Sequence, residues 1–332
     1  MCKWRKIYLV RFFLLILFVG PATLQAQQTD THELTLYAFP TMQPFNWESP
    51  STLFKTAKHC FFKTLSLKDN YLLGHMCIGI KSPLLPRDTL IAMTSANKKQ
   101  RVDLILKDKI GLAIMGATLE GMLESEDHLI HMIQVYGERK KLAFITFRVS
   151  ESAMRRMLDF ITEFSRKTPN EVQPSKYYGG VYWPLNEDEG AGCSAFALGV
   201  LASANLLPAE ASRWLKDVNI PMSLIGGEYN QNKRISFARI KKVHSWYQGN
   251  GSPNVDYVNV QTYDPSDLFD WIGKTRLLND SIYKAVEMNG VPGLIVNCTS
   301  WVLPADKPYF VKRMVSNLFM DVYRQKITLK LK

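Results

Sequence analysis

Cys193 is the side chain in this sequence best placed to act as a nucleophile. It stands in Gly190-Ala-Gly-Cys-Ser-Ala-Phe-Ala-Leu-Gly-Val-Leu-Ala-Ser-Ala204, where a glycine-flanked turn runs into an Ala-rich stretch that reads as a buried helix ending before Pro208. At a helix N-terminus the unpaired N–H groups and the positive end of the dipole stabilise a thiolate, lowering a thiol pKa from its usual ~8.5. The turn glycines let a substrate carbonyl approach, and the Cys193 N–H can donate to a developing oxyanion. Such a thiol also needs a base. Of the six histidines, His75 lies in the apolar run Leu72-Leu-Gly-His-Met-Cys-Ile-Gly-Ile80, where burial would fix its ring. His244, in Val243-His-Ser-Trp-Tyr247 behind Lys241 and Lys242, is the competitor, with flanks that read as more exposed. Taken singly, a cysteine heading an Ala-rich helix is an ordinary small buried hydrophobe, and a histidine in an apolar strand an ordinary core residue. Only the combination points to thiol chemistry.

These residues need elements to hold them. Thr41–Pro50, with Pro44, Pro50, Phe45 and Trp47, reads as an irregular lead-in, with the first regular element after it. The His75 run reads as a strand ended by Ser82-Pro83, and Leu90–Thr94 as its hairpin partner. Val102–Leu106 alternates like a strand, while Gly111–Gly116 fits a strand or a helix equally well. Leu142–Val149 is dense in β-formers. Ser150 then caps a helix in which Met154, Met157, Leu158, Ile161 and Phe164 recur at helical spacing. Farther on, Asp256–Val260 reads as a strand, Asp264-Pro265 as a helix start, and Asp306–Gln325 as a C-terminal amphipathic helix.

The remaining composition bounds compartment and partners. Three cations in Met1–Lys6, the apolar run Phe12–Gly20, Pro21 and a small residue at Ala26 predict a cleavable secretory signal over residues 1–26. That run is well short of the ~20 residues that span a bilayer, so no membrane span is expected after cleavage and the mature chain is expected to be secreted or periplasmic. The formal charge of +11 falls to about +7 without Lys3, Arg5, Lys6 and Arg11, and the remaining basic pairs are scattered, which argues against a nucleic-acid partner. With 46% hydrophobic residues the chain has material for a large core. Cys60, Cys77, Cys193 and Cys298 survive processing, with Cys60–Cys77 the obvious local disulfide pair. Their spacing lacks a C-x-x-C pattern, so neither a metal nor a cofactor is expected. Asn279 and Asn297 head glycosylation sequons that matter only in a host that uses them.

Tyr177-Tyr-Gly-Gly180, followed after a short loop by Gly192-Cys-Ser-Ala-Phe196, resembles the Tyr-x-Gly-Gly and Asp-Cys-Ser-Gly-Phe core of NlpC-type cysteine peptidases of the papain-like superfamily. Gly74-His-Met-Cys-Ile-Gly-Ile80 is similar to their His-Val-Gly-Ile strand. Here the histidine strand precedes the cysteine helix, the circularly permuted order of the YiiX-like and lecithin-retinol-acyltransferase-like branches. The resemblance covers two short motifs, and Gly192 and Ala195 depart from the family pattern. It implies an α+β papain-like fold, an antiparallel sheet packed on helices, with a catalytic core over 34–215 and a C-terminal extension, 216–332, packed on the same domain. It also implies Cys193 as nucleophile, His75 as base and Tyr178 or Tyr177 as the tyrosine that helps polarise the substrate carbonyl. Thr94, with Ser95 and Asn97 nearby, is implied as the third polar residue on the strand after the histidine. The expected reaction is hydrolysis of an amide, in a peptide, isopeptide or cell-wall peptide. The competing expectations are a non-catalytic secreted binding protein on the same fold, and a thiol acyltransferase or lipase acting on lipid esters.

Overall fold

Strict alternation in His32–Phe39 (β1) turns Leu34, Leu36 and Ala38 to one face of a sheet and Tyr37 and Phe39 to the other. The computed structural model describes residues 31–66, 71–278, 280–301 and 307–330. The predicted signal, residues 1–26, and the Asn279 sequon lie outside the described residues. β1 thus precedes the Pro-rich lead-in, where the sequence placed no regular element, and Pro50–Ser66 (α1) follows that lead-in.

β1 pairs antiparallel with His75–Lys81 (β2) on one side and Ala143–Val149 (β6) on the other. Thr89–Ile91 (β3) adds to β2 as the expected hairpin partner, but only opposite Ile78–Ile80. The chain then leaves at Ala92, and Met93–Ser95 (β4) joins a second, three-stranded sheet with Leu119–Leu123 (β5) and Tyr177–Tyr178 (β7). Lys98–Val102 (α2) continues as a wider helical turn over Asp103–Lys107, so Val102–Leu106 is helical and not a strand. Asn97 decides this, because its side chain accepts the Gln100 N–H at 3.1 Å and caps the helix. Gly111–Gly116 resolves into a 3₁₀ turn over Leu112–Met115.

The main sheet has six strands in the order β10-β11-β6-β1-β2-β3, β10 being Lys284–Met288 and β11 Val291–Asn297. β11 runs parallel to β6, so the sheet is mixed and not purely antiparallel as expected, and the fold is α+β. The segment after 216 therefore supplies an internal strand of the sheet, and Thr31–Lys332 forms one unit. On one face lie Glu151–Ser165 (α4), Cys193–Ser203 (α5) and Pro265–Thr275 (α7), with Ser150 as the expected side-chain cap of α4 and Asp264 capping α7 at the expected helix start. Glu126–Glu138 (α3) covers the other face through Leu129, Met132 and Tyr136. Leu215–Pro221 (β8) pairs with Tyr257–Tyr263 (β9) in a two-stranded sheet with its own core.

The C-terminal helix is shorter and later than its pattern suggested, Leu318–Lys330 (α8). Described residues before it are held extended: Val311 N–H donates to Leu185 O, Glu187 N–H donates to Val311 O, and Arg313 grips Glu189. All four described cysteines are free, so Cys60 and Cys77 form no disulfide. Among the described residues no helix is long and apolar enough to cross a membrane.

Candidate active site

β3 covers only the second half of β2, which leaves the start of β2 uncovered at one edge, and the tip of α5 docks there. α5 is buried on almost every side, so its packing and not a charged stripe sets its position. Its N-cap is Gly192, without a side-chain cap, and the first-turn N–H groups are left for another acceptor. Cys193, the first helical residue, is 8% exposed.

The loop before Cys193 is pinned from two sides. Ala191 N–H donates to Tyr177 O at 3.1 Å, and any Cβ at Gly190 would run into that same carbonyl oxygen. Glu189, fully buried, takes a two-pronged ion pair from Arg313 at 2.6 Å on each oxygen and also accepts the Trp183 N–H. The acidic loop is therefore structural at this position: its carboxylate fastens the C-terminal segment to the loop that presents the thiol.

His75 opens β2 opposite Phe39. The turn before it ends on Gly74 at φ +82°, a conformation glycine adopts without the Cβ penalty. Tyr71, at the head of that turn, stacks on the imidazole at 4.1 Å and donates its hydroxyl to Glu124 Oε1 at 2.7 Å. Glu124 Oε2 lies 3.0 Å from His75 Nε2, and Oε1 lies 3.2 Å from Nε2 of His128 on α3. Glu124 follows β5 directly, anchored by its N–H to Ala92 O. One carboxylate thus orients the buried imidazole, and a tyrosine fixes the carboxylate.

The thiol faces three donors. Burial alone would push Cys193 up, but the His75 charge and hydrogen bond, the Met76 N–H and the Tyr178 hydroxyl outweigh it and bring the thiol down to about 7. Burial would likewise push His75 down, but the Cys193 thiolate and Glu124 hold the imidazolium, raised to about 9. Glu124 is held below the ordinary range: burial opposes its charge, and His75, Tyr71 and His128 prevail. The arrangement is a thiolate–imidazolium pair at a helix tip, with a third, anionic residue behind the imidazole.

Of the residues singled out in the sequence, Cys193, His75 and Tyr178 come together here. Tyr177 does not: its ring packs edge-on against Tyr323 at 5.0 Å, in the second core. Thr94 does not hold the imidazole; it sits on β4 opposite Met122, and Asn97 is spent on capping α2. Glu124 fills that role, and with Tyr71 and His128 it was missed. The Glu124/His128 spacing of four at the start of a helix was the available signal. His244 lies elsewhere, bonded through Nδ1 to Ser51 Oγ at 3.0 Å beside α1. Among the described residues no cluster of His, Cys, Asp and Glu is arranged to hold a metal ion.

Compared with models of protein families, with curated proteins and with solved structures, the chain matches none.

Proposed function

We propose that the protein is an exported cysteine hydrolase that cleaves an amide bond through Cys193 and His75, on a permuted NlpC-type, papain-like arrangement. The observation that carries this reading is a buried cysteine at the uncapped N-terminus of a helix docked on β2, the strand that carries an imidazole backed by Glu124, with His75, the Met76 N–H and the Tyr178 hydroxyl bringing its thiol down. A core cysteine has no use for those donors.

In this reading the Cys193 thiolate attacks the substrate carbonyl, and the first-turn N–H groups of α5 receive the developing oxyanion. Glu124, 3.0 Å from Nε2 of His75, holds the charge of the imidazolium. The imidazolium gives its proton to the leaving amine as the C–N bond breaks, leaving an acyl-thioester on Cys193. Neutral His75 then takes a proton from water, whose oxygen attacks the thioester and releases the acid and the thiolate. No cofactor enters the cycle. The Tyr178 hydroxyl lowers the thiol and so favours the thiolate before attack. The resemblance of the two motifs directs the substrate search to peptide amides, cell-wall peptides first.

The test is hydrolysis of matched amide and ester substrates by the mature chain and its Cys193→Ala variant, with mass detection of the acyl-enzyme. Amide cleavage lost in the variant supports the proposal. Ester cleavage alone would move the chain to the acyltransferase or lipase reading, and no turnover together with slow alkylation of Cys193 would make it a binding protein.

A further inference from the structure

A second set of residues stands apart from the thiol. α1 lies against Phe237–Lys241 (α6), with the Phe54 and Phe237 rings 5.0 Å apart and Ser51 N–H donating to Val243 O. Between them opens a groove of about 880 Å³. Its polar rim carries Lys55, Lys58, Lys63 and Lys241, its walls Phe54 and Phe62, and no aspartate or glutamate lines it. His59 also lines it, as does His244, which is fixed there by Ser51 Oγ.

Some lysines elsewhere on the surface find carboxylates, as Lys99 does with Asp103, Lys167 with Glu171, Lys216 with Asp267 and Lys326 with Glu228, while others stand singly. Among the described residues Lys55, Lys58 and Lys241 have no such ion pair. Like charges gathered in one concavity repel one another, and an anion relieves that repulsion. The groove offers lysine ammonium groups, point charges that bind phosphate oxygens from several directions. Phe62 is 40% exposed with the Lys58 ammonium 5.6 Å from its ring, and Leu65 is exposed on the next turn of α1. Exposed apolar side chains beside clustered lysines fit a phosphate attached to an apolar body.

We propose that the α1–α6 groove is a binding site for a phosphorylated lipid, its phosphate held by Lys55, Lys58 and Lys241 and its apolar part lying on Phe54 and Phe62. The site shares no residue with the Cys193 centre and does not depend on the chemistry proposed there. It would seat the folded chain on an anionic membrane surface without any spanning segment.

The experiment is co-sedimentation of the full mature chain with vesicles of equimolar phosphatidylglycerol and phosphatidylcholine, and with vesicles of phosphatidylcholine alone. Binding only to the former is expected, weakened by about 10²-fold in the triple variant Lys55→Gln/Lys58→Gln/Lys241→Gln. A control triple of equal charge, Lys99→Gln/Lys167→Gln/Lys326→Gln, should bind within a fewfold of the parent. Equal loss in the control triple would overturn the site in favour of overall charge. Phe62→Ser should weaken vesicle binding but leave any pyrophosphate binding unchanged. Pyrophosphate binding that the lysine triple abolishes, with no binding to vesicles, would overturn the lipid in favour of a free phosphate. Binding to neither probe would overturn the proposal outright.

Discussion

Cys77 and Cys193 are both buried cysteines close to the same imidazole, and their environments drive them in opposite directions. Cys77 stands two residues after His75 on the same strand, fully buried, and burial together with the Glu124 and Cys193 charges pushes its thiol well up. Cys193 is also buried, yet its thiol is brought down. Burial therefore does not separate a core cysteine from a nucleophile. What differs is the supply of donors. Of the N–H groups beside Cys77, those turned to β1 go to the ladder and that of Met76 goes to the Cys193 sulfur, whereas a thiol at an uncapped helix tip against an uncovered strand edge meets several that are not committed. Cys60 and Cys298, raised chiefly by burial, fall on the Cys77 side of this divide.

The comparison breaks most visibly at Cys193 itself. Cys193→Ala should reduce hydrolysis to background, a loss on the order of 10⁴ or more, measured as kcat/KM on the amide substrate. Next comes His75→Gln, with an expected loss of about 10² to 10⁴. That variant should also send the Cys193 thiol upward, so the midpoint of its alkylation rate against pH should leave about 7 and move toward 9. An unmoved midpoint would mean that the imidazole does not set the thiolate.

The pair also dictates a pH profile. Below about 7 the Cys193 thiolate gains a proton and the nucleophile is lost. Above about 9 the imidazolium loses the proton it must give to the leaving amine. kcat/KM should therefore be bell-shaped, with its maximum near pH 8 between these limits. Glu124→Gln sharpens the assignment. Glu124 raises the imidazole, so its neutral replacement should draw the alkaline limb to lower pH and cost about 10² in kcat, with little change in KM. A purely structural Glu124 would lower the yield of folded protein and leave the limb where it was.

How much of this was legible beforehand follows the range of each interaction. The Ser150 cap, the helix start at Asp264-Pro265, the β6 core run and the helix after Cys193 are local, and each is legible in its own few residues. Cys193, His75 and Tyr178 were found because glycines, an apolar strand and a short aromatic motif mark them one at a time. Glu124 was not, because its role depends on a β5 that ends beside β2, some fifty residues apart in the chain. Thr94 failed for a related reason: the chain changes sheets at Ala92, so the residue after the hairpin faces Met122 and not the imidazole. β1 was overlooked although His32–Phe39 alternates, the proline-rich segment after it having drawn the boundary too late. The late start of α8 reflects a contact made over a hundred residues away, the Arg313 grip on Glu189, which no local pattern announces.

The smallest effect is expected at Cys77, and it tests the comparison from its quiet side. Its sulfur lies near Glu124 and Cys193 but accepts nothing from the donors that serve the thiolate, so Cys77→Ala should leave kcat/KM within about threefold of the parent. Its cost should appear in stability, about 1 kcal/mol for a small gap in a fully buried strand position, read from the midpoint of chemical unfolding. In the parent, alkylation of Cys77 should follow unfolding, while Cys193 reacts in the native state. If Cys77→Ala instead lost activity as Cys193→Ala does, with the fold intact, Cys77 would belong to the reacting group, and proximity to the imidazole rather than the helix tip would be what distinguishes the two thiols.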